Sequence, residues 1–184
     1  MLVTTFLYGS MGMLQGIYAK YFGVTLTTIA MVLLIGRVFD AITDPIIGYF
    51  SDRCYARTGS RKPFVICGMF FLVVSSYFLF IPTDIIIFDS IDAFTYQYPT
   101  VDTAYFLTWL LVFYIAWTLF EIPHLAWAND LASSTQDKNR VYSLRAIVAS
   151  LGSLLFFSIP YLPFFETRHI TPLTLQWSVI LACF

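Results

Sequence analysis

The chain has 184 residues, 59% of them hydrophobic and 11% charged, with a formal net charge of −1. A soluble domain of this size usually carries about 25% charged residues, so the composition places the chain among membrane proteins. The near-neutral balance gives no support for nucleic-acid binding, and Cys54, Cys67 and Cys183 have neither the spacing of a metal site nor that of a disulfide framework.

The apolar residues recur in separate blocks, most of them near or above the roughly 20 residues a helix needs to cross a bilayer. A single signal peptide ahead of a soluble domain does not produce that recurrence. An all-α, polytopic membrane fold is expected, with spans near 2-22, 26-50, 64-83, 104-127, 141-161 and an incomplete sixth at 173-184. The last block, 12 residues long, is about 18 Å of helix and too short to span.

The first span, "LVTTFLYGSMGMLQGIYA", contains no acidic residue. The second contains "GRVFDAITDPIIGYFSD". If helical, it places Arg37, Asp40 and Asp44 on one face, with the two aspartates one turn, about 6 Å, apart. An ionised side chain near the bilayer centre costs on the order of 3 kcal/mol, so this face must line a cavity or meet a polar partner. Two readings fit. Paired carboxylates repel, and a proton or Na⁺ relieves that repulsion, with Arg37 standing in when the site is empty. Alternatively, Asp40 pairs with Arg37, and Asp44 orients a helix interrupted by Pro45. Gly48, next along, permits close contact with a neighbouring helix.

The segment "GYFSDRCYARTGSRKP" at 48-63 reads as a compact basic loop around Gly59, carrying Asp52, Arg53, Arg61 and Lys62. Asp52 can pair with basic residues when this face is closed, which would make the loop a gate; otherwise it only sets topology. The third span leads to "DIIIFDSIDAFTYQYPTVD", which has four aspartates and no basic residue. Its apolar residues suit a short interfacial piece rather than another crossing.

The fourth span holds "WTLFEIPHLAWAND". Glu121 has Thr118 one turn before it, His124 one turn after it and Trp117 on a nearby face. A carboxylate beside a hydroxyl and an indole suits a polar organic solute; Glu121 can equally complete the ion site or make a packing hydrogen bond. His124 reads first as an interhelical hydrogen-bonding group. No histidine cluster supplies the metal that a membrane oxidase or protease would need, so no enzyme is expected and no cofactor beyond a coupling ion. After a loop with Lys138 and Arg140, Arg145 opens the fifth span, where it can snorkel or turn inward to hold a carboxylate or sugar hydroxyl.

Basic residues concentrate at 51-63 and 128-140, whereas 84-103 has four aspartates and no basic residue, and 162-172 has Glu166 with Arg168 as its one basic residue, beside His169. By the positive-inside rule the first pair of loops is cytoplasmic, and so is the amino terminus. Lys20 runs against this count and can snorkel at the outer interface.

The run "GRVFDAITDPIIGYFSDRCYARTGSRKPF" resembles the second helix and following loop of the glycoside-pentoside-hexuronide:cation symporters, the melibiose-permease branch of the major facilitator superfamily. "TLFEIPHLAWAND" is similar to that family's fourth helix, and "NRVYSLRAIVASLG" to the start of its fifth. The resemblance implies that Asp40 and Asp44 bind the coupling Na⁺ or H⁺ with Thr118. It implies further that Glu121 and Arg145, with Trp117 nearby, hold a small polar solute such as a glycoside. Two departures stand out: Thr4 occupies the place of a substrate-gripping aspartate, and Glu121 is usually Asp in the sugar carriers.

The family folds as two six-helix halves, so the chain is expected to be the amino-terminal half, with the sixth helix truncated and the carboxy-terminal half missing. The function expected is the amino-terminal portion of a sugar or small-solute symporter, multi-pass in a bacterial inner membrane. Its partners would be solute, monovalent cation and lipid bilayer. The alternative is a non-transporting membrane interaction fragment derived from such a carrier.

Overall fold

The computed structural model describes residues 2–82, 100–132, 134–162 and 169–183. The acidic segment expected to hold an interfacial piece falls largely outside the described residues. So do Glu166, Arg168 and the side chains of Thr4 and Cys183. Among the described residues, all regular structure is helical: α1 (Leu2–Tyr21), α2 (Leu26–Thr58), α3 (Lys62–Phe80), α4 (Thr103–Leu131), α5 (Thr135–Ser158) and α6 (Pro172–Cys183), with a 3-10 turn at Ile159–Tyr161.

The helix ends follow from local chemistry. The Thr25 hydroxyl accepts from the Thr28 amide at 3.2 Å and starts α2. α2 then runs 33 residues, straight through Pro45. A proline in a helix removes one backbone hydrogen bond, a loss membrane helices tolerate when neighbouring helices and side chains satisfy the freed groups. Gly59 ends α2 in the left-handed conformation, at φ 68°, with its amide bonded to the Tyr55 carbonyl at 2.8 Å. Pro63 sits in the first turn of α3, where its missing donor costs nothing. At α5, the Ser134 hydroxyl accepts from the Asp137 amide at 3.1 Å and donates to the Asp137 carboxylate at 2.6 Å, a reciprocal cap.

These caps correct two expectations. Gly48, Asp52 and Arg53 do not sit in a loop; they ride on α2, and the connection to α3 shrinks to residues 59–61. Likewise α5 already includes Lys138 and Arg140. Falling hydropathy marks where lipid gives way to water, whereas the helix ends at its cap.

α4 packs against both α2 and α3, while α1 packs against α5 and α6. The core gathers Leu14, Tyr18, Leu79, Phe106, Leu110 and Phe113. The buried Tyr18 hydroxyl donates to the Leu79 carbonyl at 2.6 Å, satisfying a polar group that would otherwise cost a few kcal/mol. The α3–α4 crossing depends on Gly68: a Cβ there would stand 2.6 Å from the Phe120 backbone nitrogen. α2, α3 and α5 present large exposed apolar side chains, among them Leu34, Val38, Phe70, Leu144 and Leu154. Four stretches, Leu26–Thr58, Lys62–Phe80, Thr103–Asp130 and Thr135–Tyr161, are long and apolar enough to cross a bilayer.

Candidate functional site

The polar side chains of α2 and α4 converge where the two helices pack. On α2, the Arg37 guanidinium lies 3.8 Å from Asp40 Oδ2. Asp40 Oδ1 is buried and has no hydrogen-bond partner. One turn on, Asp44 Oδ1 accepts a 2.9 Å hydrogen bond from the Thr118 hydroxyl on α4. Carboxylates one turn apart with a hydroxyl beside them form an oxygen-only donor set, suited to a hard monovalent cation or a shared proton.

Further along the same face of α4, Glu121 receives a hydrogen bond from Arg145 Nη2 on α5. Both side chains are about one-quarter exposed. The pair joins helices that otherwise touch little. On its α5 side lies a cavity of about 300 Å³ lined by His124, Trp127, Tyr142, Leu144, Arg145 and Val148, nearly all of its surface apolar. Arg145 therefore turns inward to a carboxylate, the second of the two roles its position allows.

Other candidates have packing partners of their own. Trp117 is half-buried against the core and stacks on Phe113 with ring centroids 6.1 Å apart. His124 stacks on Phe120 at 5.3 Å. Gly48 is not what brings α2 and α4 together, since a Cβ there would make only an ordinary 4.0 Å contact with Ile122. Gly36 is, because a Cβ there would overlap the Tyr114 ring.

The basic end holds a second polar group. Arg61 donates to Asp52 Oδ1 at 2.5 Å and to Asp130 Oδ2 at 3.2 Å, tying α2 to the end of α4. Its guanidinium also lies 4.5 Å from the Tyr55 ring centroid. Burial alone would lower the Arg61 pKa, but the two carboxylates outweigh it and hold the group above its ordinary value. Arg53 instead bonds Tyr49 on its own helix at 3.0 Å, and Lys62 opens α3. Sequence reasoning missed Asp130 and Tyr114. Tyr114 was within reach, since it lies one turn before Thr118 and two before Glu121.

The model of the MFS/sugar transport protein family matches residues 1–182. The chain belongs to this family of transport proteins. It is also 33% identical over 135 residues to the uncharacterized symporter sll1374 of Synechocystis, an alignment covering 72% of this chain and 23% of that protein. A chicken protein named sodium-dependent lysophosphatidylcholine symporter 1 is 25% identical over 68% of this chain and 22% of its own length. YagG of Escherichia coli, named for glycoside/cation symport, is 26% identical over 79% of this chain and 29% of its own length. The MFS chain thus spans less than a third of each of these relatives. No solved structure matches it. Membership in a transport family, with several membrane-capable helices, makes the chain part of a multi-pass integral membrane protein and not an enzyme.

Proposed function

We infer that this chain is the amino-terminal part of a cation-coupled symporter, driven by Na⁺ or H⁺, for a sugar or other small polar solute. The observation that carries the reading is the hydrogen bond from Thr118 to Asp44, which ties the acidic pair of α2 to the helix bearing Glu121. Names of relatives that include sodium dependence and glycoside/cation symport support it.

In the empty site, Asp40 and Asp44 repel each other and Arg37 supplies the nearest countercharge. A cation that enters between the acids relieves the repulsion and displaces Arg37 from Asp40. With Asp44 settled, Thr118 holds α4 in register, and the Glu121–Arg145 pair is presented as a donor–acceptor couple. Solute hydroxyls can then replace the ion pair's internal hydrogen bond with bonds of their own. Binding energy at one site is thereby linked to order at the other.

Alternating access in this family architecture needs a second helical half to wall the other side of the site. Arg61, bridging Asp52 and Asp130, would latch the cytoplasmic end closed, and its release would favour inward opening. This orientation places the basic ends of α2 and α5 in the cytoplasm and the amino terminus with them.

The test is uptake by the full-length natural protein in proteoliposomes under imposed Na⁺ or H⁺ gradients, with a glycoside and a lysophosphatidylcholine in the solute panel. Loss of ion dependence in Asp40→Asn and Asp44→Asn is expected. Ion dependence unchanged in both variants would overturn the reading.

A further inference from the structure

Tyr114 has no part in the mechanism above; the role argued for it rests on the reading of Asp40 and Asp44 as a cation site. A helical side chain leans toward its own amino terminus, so the Tyr114 ring reaches back from α4 to a point on α2 two turns before Asp44. There it fills the space left by Gly36, which is buried and has no room for a Cβ. The residue after Gly36 is Arg37, whose guanidinium lies 6.0 Å from the ring centroid. That same guanidinium is 3.8 Å from Asp40, and its side chain is 76% exposed while that of Asp40 is only 20% exposed.

Arg37 thus stands between two partners of unequal kind, a carboxylate and an aromatic face. When a cation occupies the acids, a guanidinium left at Asp40 is a like charge beside it and opposes cation binding. An aromatic face attracts a guanidinium without competing for the cation's oxygen ligands. We propose that Tyr114 is a positioning residue of the coupling-cation site, the docking face that receives Arg37 when a cation displaces it from Asp40. Gly36 serves this role indirectly, because only a residue without a side chain lets the ring stand beside Arg37.

The ring is needed and the hydroxyl is not. Tyr114→Phe should therefore bind the cation as the wild type does. Tyr114→Leu should weaken cation binding roughly threefold, the scale of an exposed cation–ring attraction, because Arg37 then stays on Asp40 and competes.

The experiment is cation titration of the purified full-length carrier, with an Na⁺ series at fixed pH and a pH series without Na⁺, so that whichever cation it binds is measured. Tyr114→Leu and Tyr114→Phe are compared in the wild type and in an Arg37→Gln background, and Tyr114→Met serves as a second non-aromatic variant should Tyr114→Leu not fold. A loss seen with Leu or Met, absent with Phe, and abolished in the Arg37→Gln background supports the proposal. An equal loss with Phe, no loss with Leu or Met, or a loss that persists without Arg37 overturns it. Binding of neither cation by the wild-type carrier, or binding unaltered by Asp40→Asn and Asp44→Asn, instead overturns the coupling reading and this inference with it.

Discussion

Thr118 on α4 donates to Asp44 on α2 at 2.9 Å, so at this carboxylate a neutral hydroxyl, rather than a basic residue, makes the link between the two helices. A neutral donor steadies a carboxylate without cancelling the charge that would draw in a cation. Thr118→Val keeps the shape and removes the donor. Asp44 is exposed and its bond to Thr118 only part-buried, so losing a hydroxyl that would ligate the cation beside Asp44 should lower cation affinity by roughly three- to tenfold, the scale of a net hydrogen bond of about 1 kcal/mol, and Thr118→Ser should restore most of it. Cation titration of the full-length carrier measures both.

The Glu121–Arg145 pair leads to a second expectation. Glu121→Gln leaves the Arg145 charge without its carboxylate at a site about one-quarter exposed. Hydrogen bonds to charged groups are worth roughly 1.5–3 kcal/mol, so solute affinity should drop about tenfold or more while cation affinity changes little. Uptake kinetics resolved for solute and for cation separate the two effects.

Gly68 and Gly12 make a matched pair for stability. A Cβ at Gly68 would press on the Phe120 backbone, whereas at Gly12 nothing stands within 4 Å. Gly68→Ala should destabilise the bundle by about 1–3 kcal/mol through overpacking. Gly12→Ala should be neutral or stabilise by up to about 1 kcal/mol, because alanine favours the helix. Thermal unfolding of the purified carrier in detergent distinguishes them.

At the basic end, Arg61→Gln frees Asp52 and Asp130 together. Cys54, a half-buried free thiol on the same stretch of α2, reports the opening. With Cys67 replaced, a water-soluble maleimide should label Cys54 a few-fold faster in Arg61→Gln, as expected for loss of about 1 kcal/mol from a partly exposed ion-pair network. Because the Arg61 pKa is raised on folding, its stabilising contribution is complete below the ordinary arginine value and lost only above it. Titration of Arg61 therefore contributes no change in labelling through the neutral range, and the Arg61→Gln effect should shrink as salt is added.

Which polar side chains of α2 and α4 need partners was legible in the sequence, because charge in lipid is costly. The 3.6-residue period puts Asp40 with Asp44, and Thr118 with Glu121, on shared faces, and the cost of charge in lipid calls for polar partners there, of which Asp44 finds Thr118 and Glu121 finds Arg145. What stayed hidden depends on where helices cross. Nothing local distinguishes Gly36 from Gly48, yet only the former meets a neighbour's ring. Asp130 pairs with an arginine 69 positions away, a tertiary fact with no mark in the spacing. Trp117 lies one turn before Glu121, yet nothing in that spacing showed that its ring also packs against the core and stacks on Phe113.

α2 spans 33 residues, about 50 Å at the usual rise, against a hydrocarbon thickness near 30 Å. Several turns must stand clear of the lipid or be taken up by tilt. The same rigid rod carries Asp40 at membrane depth and Asp52 toward the water, joined to α3 by only three residues. A soluble antibody fragment gripping that overhang would act like a hand on a tiller, steering Asp40 and Asp44 without ever entering the bilayer.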